Sequence, residues 1–349
     1  VYVVYPHQHR LHATDQVALQ GERFFTREVP RRADVIRAAL EAARIAIIVS
    51  PGDFGVAPIV AVHDAAYVAY LRSAFQDHAI QTGHADPVFS SRFAVDPLRL
   101  ARRPADFPEL ADFYTYDFED PITSGTWEAA YWSAQAALSA AVRVLDSQDP
   151  AYALCRPPGH HATRDQYGGF CYLNNAAIAA RYLSRCGRVA ILDVDYHHGN
   201  GTQSIFYDDA SVIYVSLHGD PAADYPYYWG YADETGTGPG LGTNLNFPLP
   251  IGTEDAQYLT ALDQALDAVR AFSPETLVVS MGLDAVADDP IGKFNLTPPG
   301  WFECGQRIAG LNLPTVLTQE GGYNLATLGS NAVGFLQWFD KEHAGNALI

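Results

Sequence analysis

The sequence predicts an α/β fold on a mainly parallel sheet, and three observations carry that prediction. From Tyr152 onward, short runs rich in Val, Ile and Leu alternate with stretches of helical character. The runs are apolar at consecutive positions, as strands covered on both faces must be. No internal repeat or flexible linker interrupts the 349 residues, so a single domain over 1–349 is expected.

In chain order, residues 31–49 and 127–146 are expected to be helical for much of their length, the second from TWEAAYWSAQAAL. Between them, residues 83–125 form a Pro- and aromatic-rich segment with little periodicity, read as an inserted loop. It gathers Asp106, Glu109, Asp112, Asp117, Glu119 and Asp120 with no Lys or Arg from Pro104 to Ile122. Its many aromatic residues argue against disorder. The runs AYALC, VAILDVD, VIYVSLH, TLVVSMGLD and PTVLTQE then read as strands. Helices are expected at Asn175–Arg185, at Asp255–Phe272 and after Thr297, an N-cap residue with prolines just behind it.

Composition bounds the function. The net charge of −18 argues against nucleic-acid binding, whose usual footprint is a basic stripe. Acid lining a cleft would instead attract a cationic ligand. Cys155, Cys171, Cys186 and Cys304 show no CxxC spacing, so neither a disulfide framework nor a Cys-rich zinc site is expected, and a reducing cytoplasm is the simplest home. No stretch approaches the roughly 20 apolar residues that span a bilayer. VYVVYPHQHR lacks the basic start and apolar stretch of a signal peptide.

The chemistry collects where strands end. In parallel sheets, ligands sit beyond the carboxyl ends of the strands. VAILDVDYHH delivers Asp195 and His197 there, TLVVSMGLD delivers Asp284, TQEGGYN delivers Tyr323, and CRPPGHHA delivers His160 and His161. Asp195 and His197, two apart, leave the same face of an extended chain. With Asp284 they form a three-ligand set with an open position, the pattern of a catalytic zinc site, though Fe2+ or another borderline divalent ion suits it too. A histidine beside an activated water works as base or acid near neutral pH. The glycines before Tyr323 allow a tight turn that aims its hydroxyl at a developing oxyanion.

RPPGHHA, GGFCYLNNAAIAA, LDVDYHHGNGT, SLHGD, GLDA and EGGY, in this order and separation, resemble the histone deacetylase-like amidohydrolases, and most closely their bacterial acetylpolyamine amidohydrolase branch. The resemblance is dense from Arg156 to Tyr323 and looser before that. It implies the arginase/deacetylase fold, an eight-stranded, mostly parallel sheet flanked by helices. It implies zinc on Asp195, His197 and Asp284, His161 as general base, His160 as its companion oriented by Asp193, and Tyr323 polarising the acetyl carbonyl. It also implies structural potassium, on backbone oxygens of Asp193, Asp195, His197 and Leu217 with the side chains of Asp193 and Ser216. A second monovalent site maps to Phe206, Asp209, Val212 and Thr243. Asn200 stands where many relatives carry an Asp paired to a catalytic histidine; a neutral partner leaves His161 less easily protonated.

The implied substrate is a small cationic acetylated amine, drawn between Phe170 and Tyr225. Glu119 and, less directly, Glu109 fall where the branch places carboxylates for distal ammonium groups. The inserted loop is expected to narrow the entrance and to mediate a homodimer. Where eukaryotic polyamine-selective relatives carry a gatekeeper glutamate, this chain has Ile291 and Gly292. Deacetylation of acetyl-lysine in peptides is the alternative. A ureohydrolase is disfavoured, because AVADD after Asp284 lacks the close DxD spacing of a second metal. A non-enzymatic binding role is disfavoured because no catalytic position is substituted.

Overall fold

The computed structural model describes residues 1–16, 18–19, 22–23, 26–90 and 109–346. Eight parallel strands form one sheet: β1 Tyr2–Val4, β2 Ile47–Val49, β3 Ala151–Ala153, β4 Val189–Asp193, β5 Val212–Gly219, β6 Asn244–Leu249, β7 Thr276–Met281 and β8 Thr315–Gln319. Their order is β2-β1-β3-β8-β7-β4-β5-β6. On leaving β3, the chain skips two positions that β8 and β7 fill later, so strand ends far apart in sequence meet at the middle of the sheet.

Both faces are covered. Along β4, Ala190 and Leu192 turn to one core, with the helices Arg31–Ala43, Asp255–Phe272, Pro298–Ala309 and Leu328–Asn346. Val189 and Ile191 turn to the other, with the helices Ala65–Thr82, Thr126–Ser147 and Asn175–Leu183. The alternation follows from the two-residue period of a strand. Each fully buried Leu, Ile or Val contributes roughly 1.5–3 kcal/mol by leaving water, which is why β4 carries no polar residue before Asp193 at its carboxyl end.

Several expected elements are present as read. The helix Asp255–Phe272 has the expected bounds, and Thr297 caps the next helix by accepting from the Gly300 N–H. Other readings need correction. The helix beginning at Arg31 stops at Ala43, where Arg44 takes a left-handed conformation (φ 56°), and Ile47–Val49 is an edge strand. The strands Tyr2–Val4 and Asn244–Leu249 carried too little apolar length to be read from sequence. Within 83–125, Glu109–Tyr114 is helical, and residues 91–108 lie outside the described residues. Among the described residues no helix is long and apolar enough to cross a membrane. All four cysteines are free.

Candidate active site

The carboxyl ends of β3, β4, β5, β7 and β8 open onto a cavity of about 270 Å3 lined by His161, His197, Phe170, Tyr225, Tyr323, Ile291, Asp117, Glu119, Asp224 and Gly169. At its floor, Asp195 and His197 follow β4 and Asp284 follows β7. One donor atom from each lies within 4.8 Å of the others, and all three residues are buried. His197 turns Nδ1 toward both acids, 3.1 Å from Asp284 Oδ2 and 3.4 Å from Asp195 Oδ1.

Main-chain donors hold the carboxylates in place: His197 N–H and Gly321 N–H donate to Asp195, and Tyr196 N–H donates to Asp284. Gly282 and Gly321 are required here, because a Cβ at either would overlap the Asp195 carboxylate. Two carboxylates and one imidazole with donor atoms this close together fit a divalent ion. Burial and Asp195 push Asp284 up to about 7, whereas His160 and His197 hold Asp195 below the usual carboxylate range against burial. Such a pair of buried acids calls for positive charge between them.

The tandem histidines sit on a turn after β3, where Glu320 Oε2 accepts both Gly159 N–H (2.7 Å) and His160 N–H (3.1 Å). Their rings lie 4.0 Å apart but face different partners. His160 Nδ1 is 3.1 Å from Asp193 Oδ2, which also accepts the Tyr214 hydroxyl at 2.9 Å. Burial alone would lower the His160 pKa, yet Asp195 and Asp193 raise it to about 10. His161 Nδ1 is 2.7 Å from Asn200 Oδ1. Burial, then His160 and His197, push the His161 pKa well down, while the hydrogen bond to Asn200 acts in the opposite direction.

Phe170 and Tyr225 both line the cavity. Phe170, at φ 66°, lies 5.9 Å from the Tyr323 ring, and Tyr225 meets His161 edge-on at 5.1 Å. Tyr323 follows β8, with Asp289 Oδ2 accepting its backbone N–H at 2.7 Å. Ile291, not a glutamate, lines the cavity. Glu119 also lines it, and among the described residues its carboxylate has no hydrogen bond or ion pair. Glu109 begins a helix, and its side chain lies outside the described residues. Asp193 and Ser216 are register partners in β4 and β5, with Leu217 next to Ser216. Asp209 N–H donates to Phe206 O, Thr243 Oγ1 donates to Asp209 O, and Val212 starts β5.

Some residues at the site escaped sequence reading. Arg32 stacks on the Tyr323 ring at 4.5 Å and donates to Gly322 O and Glu320 O. Buried Glu28 binds both Arg32 (2.9 Å) and Arg156 (2.8 Å). Asp117 Oδ2 accepts the Tyr225 hydroxyl and Gly169 N–H, and Asp120 accepts Phe170 N–H. Their only sequence signal was the acid-rich segment, which did not separate structural acids from cavity acids.

The histone deacetylase domain family matches residues 26–337. Acetylpolyamine amidohydrolase 1 of Pseudomonas aeruginosa is 44% identical over 344 residues, covering 97% of this chain and 98% of that protein. Acetylpolyamine amidohydrolase of Burkholderia pseudomallei is 46% identical over 325 residues, covering 92% and 93%. A crystal structure of acetylpolyamine aminohydrolase from Burkholderia pseudomallei superposes with a TM-score of 0.90 at 43% identity, covering 98% of this chain and 99% of that one. The sheet, the domain match and these relatives agree: the chain belongs to the histone deacetylase family and has the arginase/deacetylase fold.

Proposed function

We propose that this chain hydrolyses the acetyl amide of small N-acetylated diamines and polyamines to acetate and free amine. The observation that carries this reading is Glu119, an acid without a partner among the described residues, on the wall of an aromatic-sided cavity whose floor is the Asp195, His197 and Asp284 cluster. An alkyl chain fits between Phe170 and Tyr225, and a distal ammonium then meets Glu119. The relatives named for acetylpolyamines support the same substrate class.

Asp195, His197 and Asp284 would hold zinc, with Fe2+ suited to the same donors. When bound, the metal supplies a Lewis acid that makes water a nucleophile near neutral pH and polarises the acetyl carbonyl. His161 commits Nδ1–H to Asn200, so Nε2 is left to take the proton of the attacking water. The Tyr323 hydroxyl, kept protonated by burial, donates to the carbonyl oxygen as it gains charge. As the C–N bond breaks, the histidine pair returns a proton to the departing nitrogen. Asp193 keeps the His160 ring in place throughout.

Potassium would sit beneath this site on the backbone oxygens of Asp193, Asp195, His197 and Leu217 and the side chains of Asp193 and Ser216, with a second ion at Phe206, Asp209, Val212 and Thr243. A second copy of the chain would narrow the entrance through the 83–125 segment. The exposed side chains of Tyr227, Tyr228 and Trp229 beside Tyr225 are in keeping with such cover.

The test is acetate release from acetylputrescine and acetylcadaverine by the zinc-loaded protein and by His161→Ala. Stoichiometric acetate and amine from the wild type, lost in the variant, is the expected result. No release from either acetyldiamine would overturn the reading.

A further inference from the structure

Tyr116 comes from the acid-rich segment, yet its hydroxyl ends beside the tandem histidines. It donates to the backbone oxygen of His161 at 2.8 Å, and it accepts from Nδ2 of Asn200 at 3.2 Å. The other end of that amide, Oδ1, lies 2.7 Å from His161 Nδ1. We propose that Tyr116 is the positioning residue that selects the reactive tautomer of His161, by fixing which end of the Asn200 amide faces the imidazole.

The argument is one of donors and acceptors. A tyrosine hydroxyl has one proton, and here the His161 carbonyl takes it, so only a lone pair is left for Asn200. That lone pair accepts an N–H and repels a carbonyl oxygen. Nδ2 must therefore face Tyr116 and Oδ1 must face His161. Oδ1 accepts only, so Nδ1 of His161 carries the proton and Nε2 keeps its lone pair toward the cavity. With the amide reversed, its NH2 would face Nδ1, the proton would move to Nε2, and the imidazole would hold the wrong tautomer for accepting a proton. A carboxylate at 200 would not need this control, because both of its oxygens accept.

The neighbours of Tyr116 pin the segment that delivers it. Thr115 Oγ1 and Tyr116 N–H both donate to Tyr167 O, and Asp117 accepts Gly169 N–H and the Tyr225 hydroxyl. Asn200 is almost fully buried, so no exchange with bulk water competes for its amide. The stretch from Thr115 to Asp120 thus ties the imidazole, both aromatic walls and the entrance acid Glu119 into one unit.

This inference rests on the reading of His161 as the base, and the experiment separates the two. Steady-state kinetics on acetylputrescine would be measured for the zinc-loaded wild type, His161→Ala, Tyr116→Phe, Asn200→Asp and the Tyr116→Phe/Asn200→Asp double variant. The expected result is a fall in kcat of roughly 10-fold or more for Tyr116→Phe, with KM within about twofold, since only the tautomer changes. Adding Tyr116→Phe to Asn200→Asp is expected to change kcat by less than about twofold, because the carboxylate is already an acceptor at either oxygen. An unchanged kcat for Tyr116→Phe, or equal losses in both backgrounds, overturns the positioning role while leaving the base intact. A His161→Ala enzyme with wild-type kcat overturns the base itself. Nitrogen-15 NMR of histidine-labelled wild-type protein, with His161→Ala to assign the signal, decides the matter even if Tyr116→Phe does not fold. A protonated Nδ1 and bare Nε2 at His161 are expected, and the opposite tautomer overturns the proposal.

Discussion

His160 and His161 are adjacent in sequence and their ring centroids lie 4.0 Å apart, yet one faces the Asp193 carboxylate at 3.1 Å and the other the Asn200 amide at 2.7 Å. A charged partner favours a protonated ring and a neutral partner does not. The pair is thereby divided between two proton-handling tasks. Truncating His161 to Ala is expected to lower kcat by about 10^2–10^4-fold with little change in KM, the range for losing a positioned base. Steady-state assay on acetylputrescine checks it; a raised KM with unchanged kcat would place His161 in binding only.

Glu119 stands on the cavity wall without a partner among the described residues. Glu119→Gln should raise KM for acetylputrescine roughly 2–5-fold, the size of a solvent-screened ion pair. KM for uncharged N-butylacetamide should stay within error. The difference should shrink at high salt. Equal effects on both substrates would show that the glutamate acts by shape and not by charge.

Asp195 and Asp284 are buried acids facing one point with His197. Removing the metal with a chelator should abolish acetate release and lower Tm, and adding zinc should restore both, because a ligand that binds only the folded state stabilises it. Asp284→Asn should need much higher zinc for the same recovery. A protein whose activity and Tm ignore the chelator would have no working metal at this site.

Glu28 pairs with two buried guanidiniums, Arg32 and Arg156, and Arg32 in turn carries the Tyr323 loop. Glu28→Gln leaves uncompensated buried charge and should cost about 3–5 kcal/mol in urea unfolding. A loss under 1 kcal/mol would mean that water reaches the network.

His63 is fully buried, and its Nε2 accepts the Asn174 N–H at 2.9 Å. Burial lowers its pKa to about 4, so the unfolded chain binds this proton more readily than the folded one. The stabilisation is therefore complete above the unfolded pKa of about 6.5 and is lost as pH falls through about 4. It amounts to up to about 3 kcal/mol. Unfolding measured from pH 7 to pH 5 should show a shallower loss in His63→Gln than in wild type. Parallel curves would remove His63 from the acid response.

What could be read from the residues was set by how local the signal is. Asp195 and His197 stand two apart at the end of an apolar run, so spacing alone placed them together. Asp284 and Tyr323 join them only because β7 and β8 lie between β3 and β4, a fact of sheet order. The edge strand Ile47–Val49 was hidden because three residues carry no period, and its pairing with β1 decides its form. Arg32, Glu28 and Arg156 were not legible at all: each looks like a surface charge until residues 28, 32 and 156 are folded against one another. Among the described loop acids, Asp117 and Asp120 prove to be backbone acceptors, whereas Glu119 lines the cavity without a described partner, a division that composition cannot make.

The most direct test of the central claim is a competition. Acetylputrescine and an acetyl-lysine peptide would be held at equal concentration with the zinc-loaded enzyme, and the two amine products counted over time to give the ratio of kcat/KM. Faster release of putrescine is predicted, because a narrow cavity ending in Glu119 admits a free ammonium and excludes a peptide backbone. Faster release from the peptide would contradict the account: the amide chemistry would stand, but the enzyme would be a lysine deacetylase and Glu119 no part of its recognition.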